Sequence, residues 1–454
     1  MSSTSNSHIH LHAELLPNIR QLTLYVSLPS DSDTKNEDGD RLKPEISLSE
    51  SRRAVTVSVG EEMETMKLPA RVSESSRSNL RFPEQASSGH TGTTSDLTRI
   101  EFSFRMQVDK DEMPGLTKDE FVDDITPWMA EDMSTSTLVR CRTCSKVILD
   151  STKHTEGWTW KNLPSGNWAE MMDFWHCHKP DPHEGHDHGS HDDKQIEDPN
   201  AVLKGYGAAN QISASSGTIL VDVASLLVAE TDCNGLRKSQ NEGISQTGNP
   251  SSRVYLECES CGATIGTEDI AANGWKLFKA CIAVQRHSSS DPKTYPKETI
   301  VGAQLLEMIE REGIRRFVIH YGGSDGLLVC SSVPLRIPKT NPSEDTSLIF
   351  SFLVIKIWIF NPDVRYSSVN SNHSIAAQRA MKIFFQHVSD AEKILEPEQG
   401  KPASMSLEEL YLPTSIYEDV YSALSQSNKM LPASARNFRE WRVGFLNRLD
   451  RKHT

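Results

Sequence analysis

With 454 residues, 37% hydrophobic and 24% charged, the chain is long enough to bury a core but carries segments too polar to join it, so one or two domains with disordered insertions are expected. A formal net charge of −14 excludes general nucleic-acid or anionic-membrane binding, which needs a basic footprint, and favours a protein partner. Eight cysteines, four in matched pairs and four scattered (Cys177, Cys233, Cys281, Cys330), point to reduced intracellular thiols and not to a disulfide framework.

Residues 1–12 read as a disordered tail. The start is polar and lacks the basic and apolar segments of a secretory signal. Residues 13–109 form a β-rich N-terminal region. Leu22, Leu24, Val26 and Leu28 alternate on one face, and the same period returns at Val55, Val57 and Val59 and from Ile100 to Val108. The stretches 31–47 and 73–98 are rich in Ser, Asp, Glu, Gly and Thr and read as long loops within an antiparallel sheet or sandwich.

The central region, 110–284, holds the two matched turns, Cys141-Arg-Thr-Cys144 and Cys258-Glu-Ser-Cys261. Two residues between the sulfurs let the chain fold back in a knuckle that presents both thiolates to one metal, and each knuckle is half a tetrahedron. Small residues follow each second cysteine (Ser145, Gly262) and let the turn close; Val147-Ile148 and Ile265 then leave on strands. Residues 145–257 separate the pairs, so a shared structural zinc on Cys141, Cys144, Cys258 and Cys261 requires tertiary folding to assemble it. Four thiolates leave no open position for catalysis.

Between the knuckles, Ser165 or Asn167 caps an expected helix whose Trp168, Met171, Met172 and Trp175 share a core-facing stripe. His183, His186, His188 and His191 stand irregularly among Asp, Glu and Gly, which reads as a solvated loop and not as a defined metal site. Disordered insertions are assigned to 181–217 and 230–252, and strands to 218–228 and 254–256; 275–284 is a further apolar run.

The C-terminal α+β region, 285–454, opens with a helix through Ile300, Val301, Leu305, Met308 and Ile309 that stops at Gly313. Strands are expected at 316–320, 327–333 and 348–360, the last too short to cross a bilayer as a helix. Helices are expected at 376–388, 416–424 and 437–449. In the last of these, Phe438, Trp441, Phe445 and Leu449 form the apolar stripe, and Arg439, Arg442, Arg448 and Arg451 a basic face suited to an acidic partner. The class is α+β: an antiparallel, β-rich chain with a split four-cysteine zinc-knuckle region, several peripheral helices and disordered insertions.

CRTC, LPSGNWAEMMDFWHCHKP, CESCG and the closing LPASARNFREWRVGFLNRL together resemble the family of E2-binding, HECT-like ubiquitin-protein ligases, above all through residues 163–180. The resemblance implies a ubiquitin-conjugating enzyme (E2) of the cell cycle and ubiquitin as partners, with a cyclin or the endonuclease of mRNA 3′-end cleavage and polyadenylation as further ones. It implies a cytoplasmic or nuclear location. A HECT-type thioester needs a cysteine near the C-terminus, and none follows Cys330. Cys177 is a weak catalytic candidate. His176 and His178 flank it, but the end of the expected helix disfavours a thiolate. Two readings stand: a ligase that binds an E2 and promotes ubiquitin transfer, and a non-enzymatic partner or chaperone of the 3′-end endonuclease. No Ser-His-Asp set, phosphate-binding Gly loop or HExxH motif supports another chemistry.

Overall fold

The alternation at residues 21–28 becomes the strand Gln21–Pro29, whose Leu22, Leu24, Val26 and Leu28 are all buried on one face. It lies between His10–Leu16 and Arg99–Gln107 in a nine-stranded sheet. The computed structural model describes residues 9–29, 43–82, 99–115, 126–163, 212–239, 254–287, 290–322, 354–369, 377–388 and 407–449. By internal contacts the chain divides into one unit of residues 1–126, 296–309 and 313–454 and a second of 127–295 with 310–312.

The first unit is organised by one long strand, Val354–Val369. Its first half pairs with Arg316–Gly322 and its second half with His10–Leu16, while Gln378–His387 runs along its other side. The expected regions 13–109 and 285–454 therefore contribute strands to one sheet. Pairing is antiparallel except where Leu407–Pro413 joins Arg316–Gly322. A three-stranded meander, Glu45–Leu48, Ala54–Val59 and Glu62–Lys67, closes an apolar layer with the sheet. Val55, Val57 and Met66 meet Leu11, Ala13, Leu22 and Leu24 there, all fully buried.

Helices Lys297–Glu312 and Thr414–Met430 complete this unit, and Gly313 ends the first in the left-handed conformation, as its position predicts. The second fits because Gly444 has no side chain: a Cβ there would lie 2.7 Å from the Leu424 carbonyl oxygen. Two expected helices are strands instead. Residues 376–388 form the strand Gln378–His387, in which Ala380, Met381, Ile383, Phe384 and Phe385 are all buried. A strand covered on both faces reads as a continuous apolar run, which periodicity cannot separate from a buried helix. Residues 437–449 form a hairpin, Asn437–Phe438 with Trp441–Asn447, turned by Arg439 at φ 55°. Val443 and Phe445 face one core, so the period is two. The basic face of the expected helix does not exist as such. Arg439 lies over Phe438 and Arg442 over Phe385 on the alternate side of the hairpin strand, while Arg448 donates to the Pro362 carbonyl; Arg451 lies outside the described residues.

The second unit holds a seven-stranded and a three-stranded sheet. The larger runs Leu236–Ser239, Tyr255–Cys258, Thr264–Asp269, Gly274–Phe278, Ser225–Val228, Thr218–Val221, Thr159–Asn162, with only the last pair parallel. The smaller places Leu138–Cys141 between Ile282–Gln285 and Val147–Leu149. Among the described residues the fold is mostly antiparallel β, with three α-helices, one of them the single turn Ser76–Asn79. The expected helix at 168–175, the strand at 327–333 and the histidine tract lie outside the described residues.

Candidate metal centre

Each C-x-x-C pair closes a strand end in the same way. Cys141 ends Leu138–Cys141, and its N–H donates to the Lys146 carbonyl (2.8 Å) while its carbonyl accepts from the Ser145 N–H (2.9 Å). Cys258 ends Tyr255–Cys258, and the Cys258 N–H to Ala263 carbonyl (2.9 Å) and Gly262 N–H to Cys258 carbonyl (2.8 Å) bonds repeat that pattern. Ser145 (φ 62°) and Gly262 (φ 72°) both take the left-handed conformation that reverses the chain. The backbone N–H groups of Lys146 and Ala263 point at the second sulfur of their respective knuckles, Cys144 and Cys261.

Tertiary folding brings the knuckles face to face. The Sγ atoms of Cys141 and Cys261 are 3.7 Å apart, those of Cys144 and Cys258 are 3.6 Å apart, and all four lie within 4.8 Å of one another. Thiolates held about 2.3 Å from a tetrahedral zinc ion stand about 3.8 Å from each other, so the set fits that ion. Cys141 and Cys258 are buried and Cys144 and Cys261 exposed, so the centre opens to solvent along one side. Burial pushes the Cys141 thiol up to about 12, and the Lys146 N–H brings Cys144 down to about 7. A divalent cation offsets the charge that four crowded thiolates otherwise cannot share.

Residues 232–236 hold the two halves together, and sequence reasoning missed them. They fall in the segment 230–252 expected to be disordered; residues 240–253 lie outside the described ones, but 230–239 are folded and end in the strand Leu236–Ser239. Cys233 bridges to Leu149 and the Asn234 N–H donates to the Ile148 carbonyl, both just after the first knuckle. Glu259 N–H donates to the Gly235 carbonyl and Leu236 pairs with Cys258, both at the second. Gly235, at φ 60°, sits where a Cβ would lie 3.3 Å from Lys146 Cε, just past the first knuckle, and 4.0 Å from Glu259 Oε2, within the second. Buried Asp232 anchors the strap by accepting bonds from His154 Nε2, Ser216 Oγ and the Gly217 N–H, and Lys153 Nζ caps the carbonyls of Thr231, Asp232 and Cys233. A local polar majority hid this, although Asn234-Gly235 is a turn signal.

On the opposite side of the first knuckle, the Arg142 N–H donates to the Cys281 carbonyl and its guanidinium to the Tyr295 carbonyl (2.5 Å). Of the scattered cysteines, Cys177 and Cys330 lie outside the described residues. Cys281 is buried, and burial first, then Asp232, pushes the Cys233 thiol up to about 12. Neither has the exposed, electropositive setting of an activated nucleophile.

No solved structure matches the chain. It is 22% identical over 332 residues to an uncharacterized protein of Schizosaccharomyces pombe, covering 72% of this chain and 78% of that protein. It is also 22% identical over 322 residues to an uncharacterized protein of Saccharomyces cerevisiae, covering 70% of this chain and 72% of that one. A family model described as HECT-like ubiquitin-conjugating enzyme (E2)-binding matches residues 14–443, across the strands of both units and both knuckles. The chain belongs to the HECT-like E2-binding family.

Proposed function

We propose that the protein is a ubiquitin-ligase scaffold that binds an E2 and promotes ubiquitin transfer from it to a substrate, with one structural Zn²⁺ held by Cys141, Cys144, Cys258 and Cys261. The observation that carries the E2 part is the family match over residues 14–443. Zinc is supported by the spacing of the four sulfurs, and four thiolate ligands would leave a tetrahedral ion no vacant position, which favours a stabilising role over a chemical one. Transfer without a thioester on this chain is supported by the setting of Cys233 and Cys281, and it needs surfaces that raise the local concentration of E2 and substrate, not a nucleophile. Cytoplasm and nucleus, where E2 enzymes work on reduced proteins, are the compartments this reading requires.

The test is discharge of a ubiquitin-charged E2, with and without the protein, read on non-reducing gels. Faster discharge that Cys177→Ala leaves unchanged supports the scaffold. A ubiquitin adduct on this chain that reductant removes and Cys177→Ala abolishes replaces it with a transferase. The second reading, a partner or chaperone of the 3′-end endonuclease, draws support from the charge of −14, which suits a basic RNA-handling client. It takes over if no E2 is bound or discharged and the purified endonuclease is bound in a salt-dependent way.

A further inference from the structure

Large hydrophobic side chains exposed among the described residues are Ile19, Met63, Ile270, Phe360 and Phe438, and the last two share a partner. Phe384, 3% exposed, stacks on Phe360 (4.8 Å between ring centroids, 17° between planes) and on Phe438 (5.1 Å, 20°). The result is a ladder of three parallel rings with its outer rungs 47% and 45% exposed. It forms because three strand positions place aromatic residues on one face of the large sheet, with the central Phe384 belonging to the core cluster that also contains Val443 and Phe445. Trp358 stands edge-on to Phe360 (82°) and Phe384 (88°) and extends the apolar surface.

Cations surround the ladder. Arg316 lies 5.3 Å from the Trp358 ring, Lys356 Nζ 5.7 Å from the Trp441 ring, and Arg439 5.7 Å from the Phe438 ring. Glu440 is the carboxylate that acts on Lys356; burial and then Arg316 outweigh it and hold the ammonium below its usual range. This is a concentration of positive charge in a chain of net −14. Exposed aromatics with arginine at the rim are the composition of a protein-interface centre.

We infer that this patch docks an acidic segment of another protein, its carboxylates meeting Arg316, Lys356 and Arg439 and one of its apolar side chains seated against Phe360 and Phe438. Single-stranded nucleic acid fits less well. Both faces of Phe384 are occupied by its neighbours and Arg439 lies over Phe438, so Phe360 is the one rung with a face left for a stacked base, where single-strand binding uses successive open rings. The inference does not depend on ubiquitin chemistry.

The experiment uses the full chain and a fluorescein-labelled synthetic peptide in which Asp and Glu alternate with Leu and Phe, read by anisotropy at low and moderate salt. A peptide with Lys in place of the acids and a single-stranded RNA of similar length serve as competing probes. The acidic peptide is expected to bind, to weaken with salt, and to lose about 30-fold in affinity with Phe438→Ala. Arg439→Glu is expected to lose comparably with an unchanged melting curve, which keeps the test decisive should Phe438→Ala disturb the hairpin. The inference is overturned if the acidic peptide does not bind, if it binds wild type and both variants equally, or if the RNA binds in its place through the same residues.

Discussion

The two units close their structures by different means. In the first, a sheet and a meander meet through a broad layer of fully buried Leu, Val and Met side chains, and cohesion is spread over many contacts. In the second, two sheets end in knuckles whose union rests on four sulfur atoms and a five-residue strap. Distributed burial tolerates single losses, whereas a shared ion makes every ligand equally necessary.

The largest expected effect tests that contrast directly. Cys→Ser at any one of Cys141, Cys144, Cys258 or Cys261 should abolish stoichiometric zinc and remove the cooperative melting of residues 127–295, since structural zinc contributes about 10 kcal/mol or more in small zinc folds. Metal analysis beside calorimetry checks this. One zinc per chain surviving in any of the four variants would end the idea of a shared site.

In the first unit the next effect concerns a buried charge. Burial alone would raise the carboxyl of Glu14, but Lys382 (2.6 Å) and His12 hold it down, from 4.5 to about 2. Because the folded-state pKa is depressed, the pair stabilises the unit fully above about pH 4.5 and the contribution fades as pH falls through about 2. Glu14→Gln should therefore cost about 3 kcal/mol at neutral pH and flatten acid unfolding across that window. Chemical denaturation from pH 2 to 7 measures it, and parallel curves for wild type and variant would contradict the assignment.

A smaller effect is expected where backbone approaches backbone. Gly444→Ala puts a Cβ 2.7 Å from the Leu424 carbonyl oxygen and should destabilise by about 1–3 kcal/mol, with zinc content unchanged. The smallest separates the knuckles from each other. Ser145→Gly removes a Cβ from a left-handed residue and should stabilise by up to about 1 kcal/mol, while Gly262→Ser should reverse that amount. Thermal melts of the zinc-loaded protein decide the sign.

Much of this was legible in residue order. Val55, Val57 and Val59 alternate so plainly that only a half-covered strand fits, Gly313 marks its helix end, and two identical cysteine spacings announce one site. Residues 378–387 were not legible, because burial on both faces erases the period that distinguishes strand from helix. The hairpin at 437–447 turns on Arg439, a residue type that carries no turn signal, and its aromatics coincide with helical spacing. Polar composition concealed the strap, since Asp232 and Lys153 are polar residues satisfied by long-range partners.

The separation of 114 positions from Cys144 to Cys258 also sets a schedule. At about 5–20 residues per second, the second pair leaves the ribosome roughly 6–23 s after the first. During that interval the early thiols have only half a tetrahedral ion's ligands, and the strap emerges after the first pair of sulfurs and before the second. Under the proposed zinc assignment, metal capture then waits for Cys258 and Cys261 and precedes only the strands Thr264–Asp269, Gly274–Phe278 and Ile282–Gln285 of this unit. Stalled nascent chains that expose Cys141 and Cys144 alone are expected to exchange zinc freely, and those that also expose Cys261 to retain it; tight retention by the shorter chains would reverse the order.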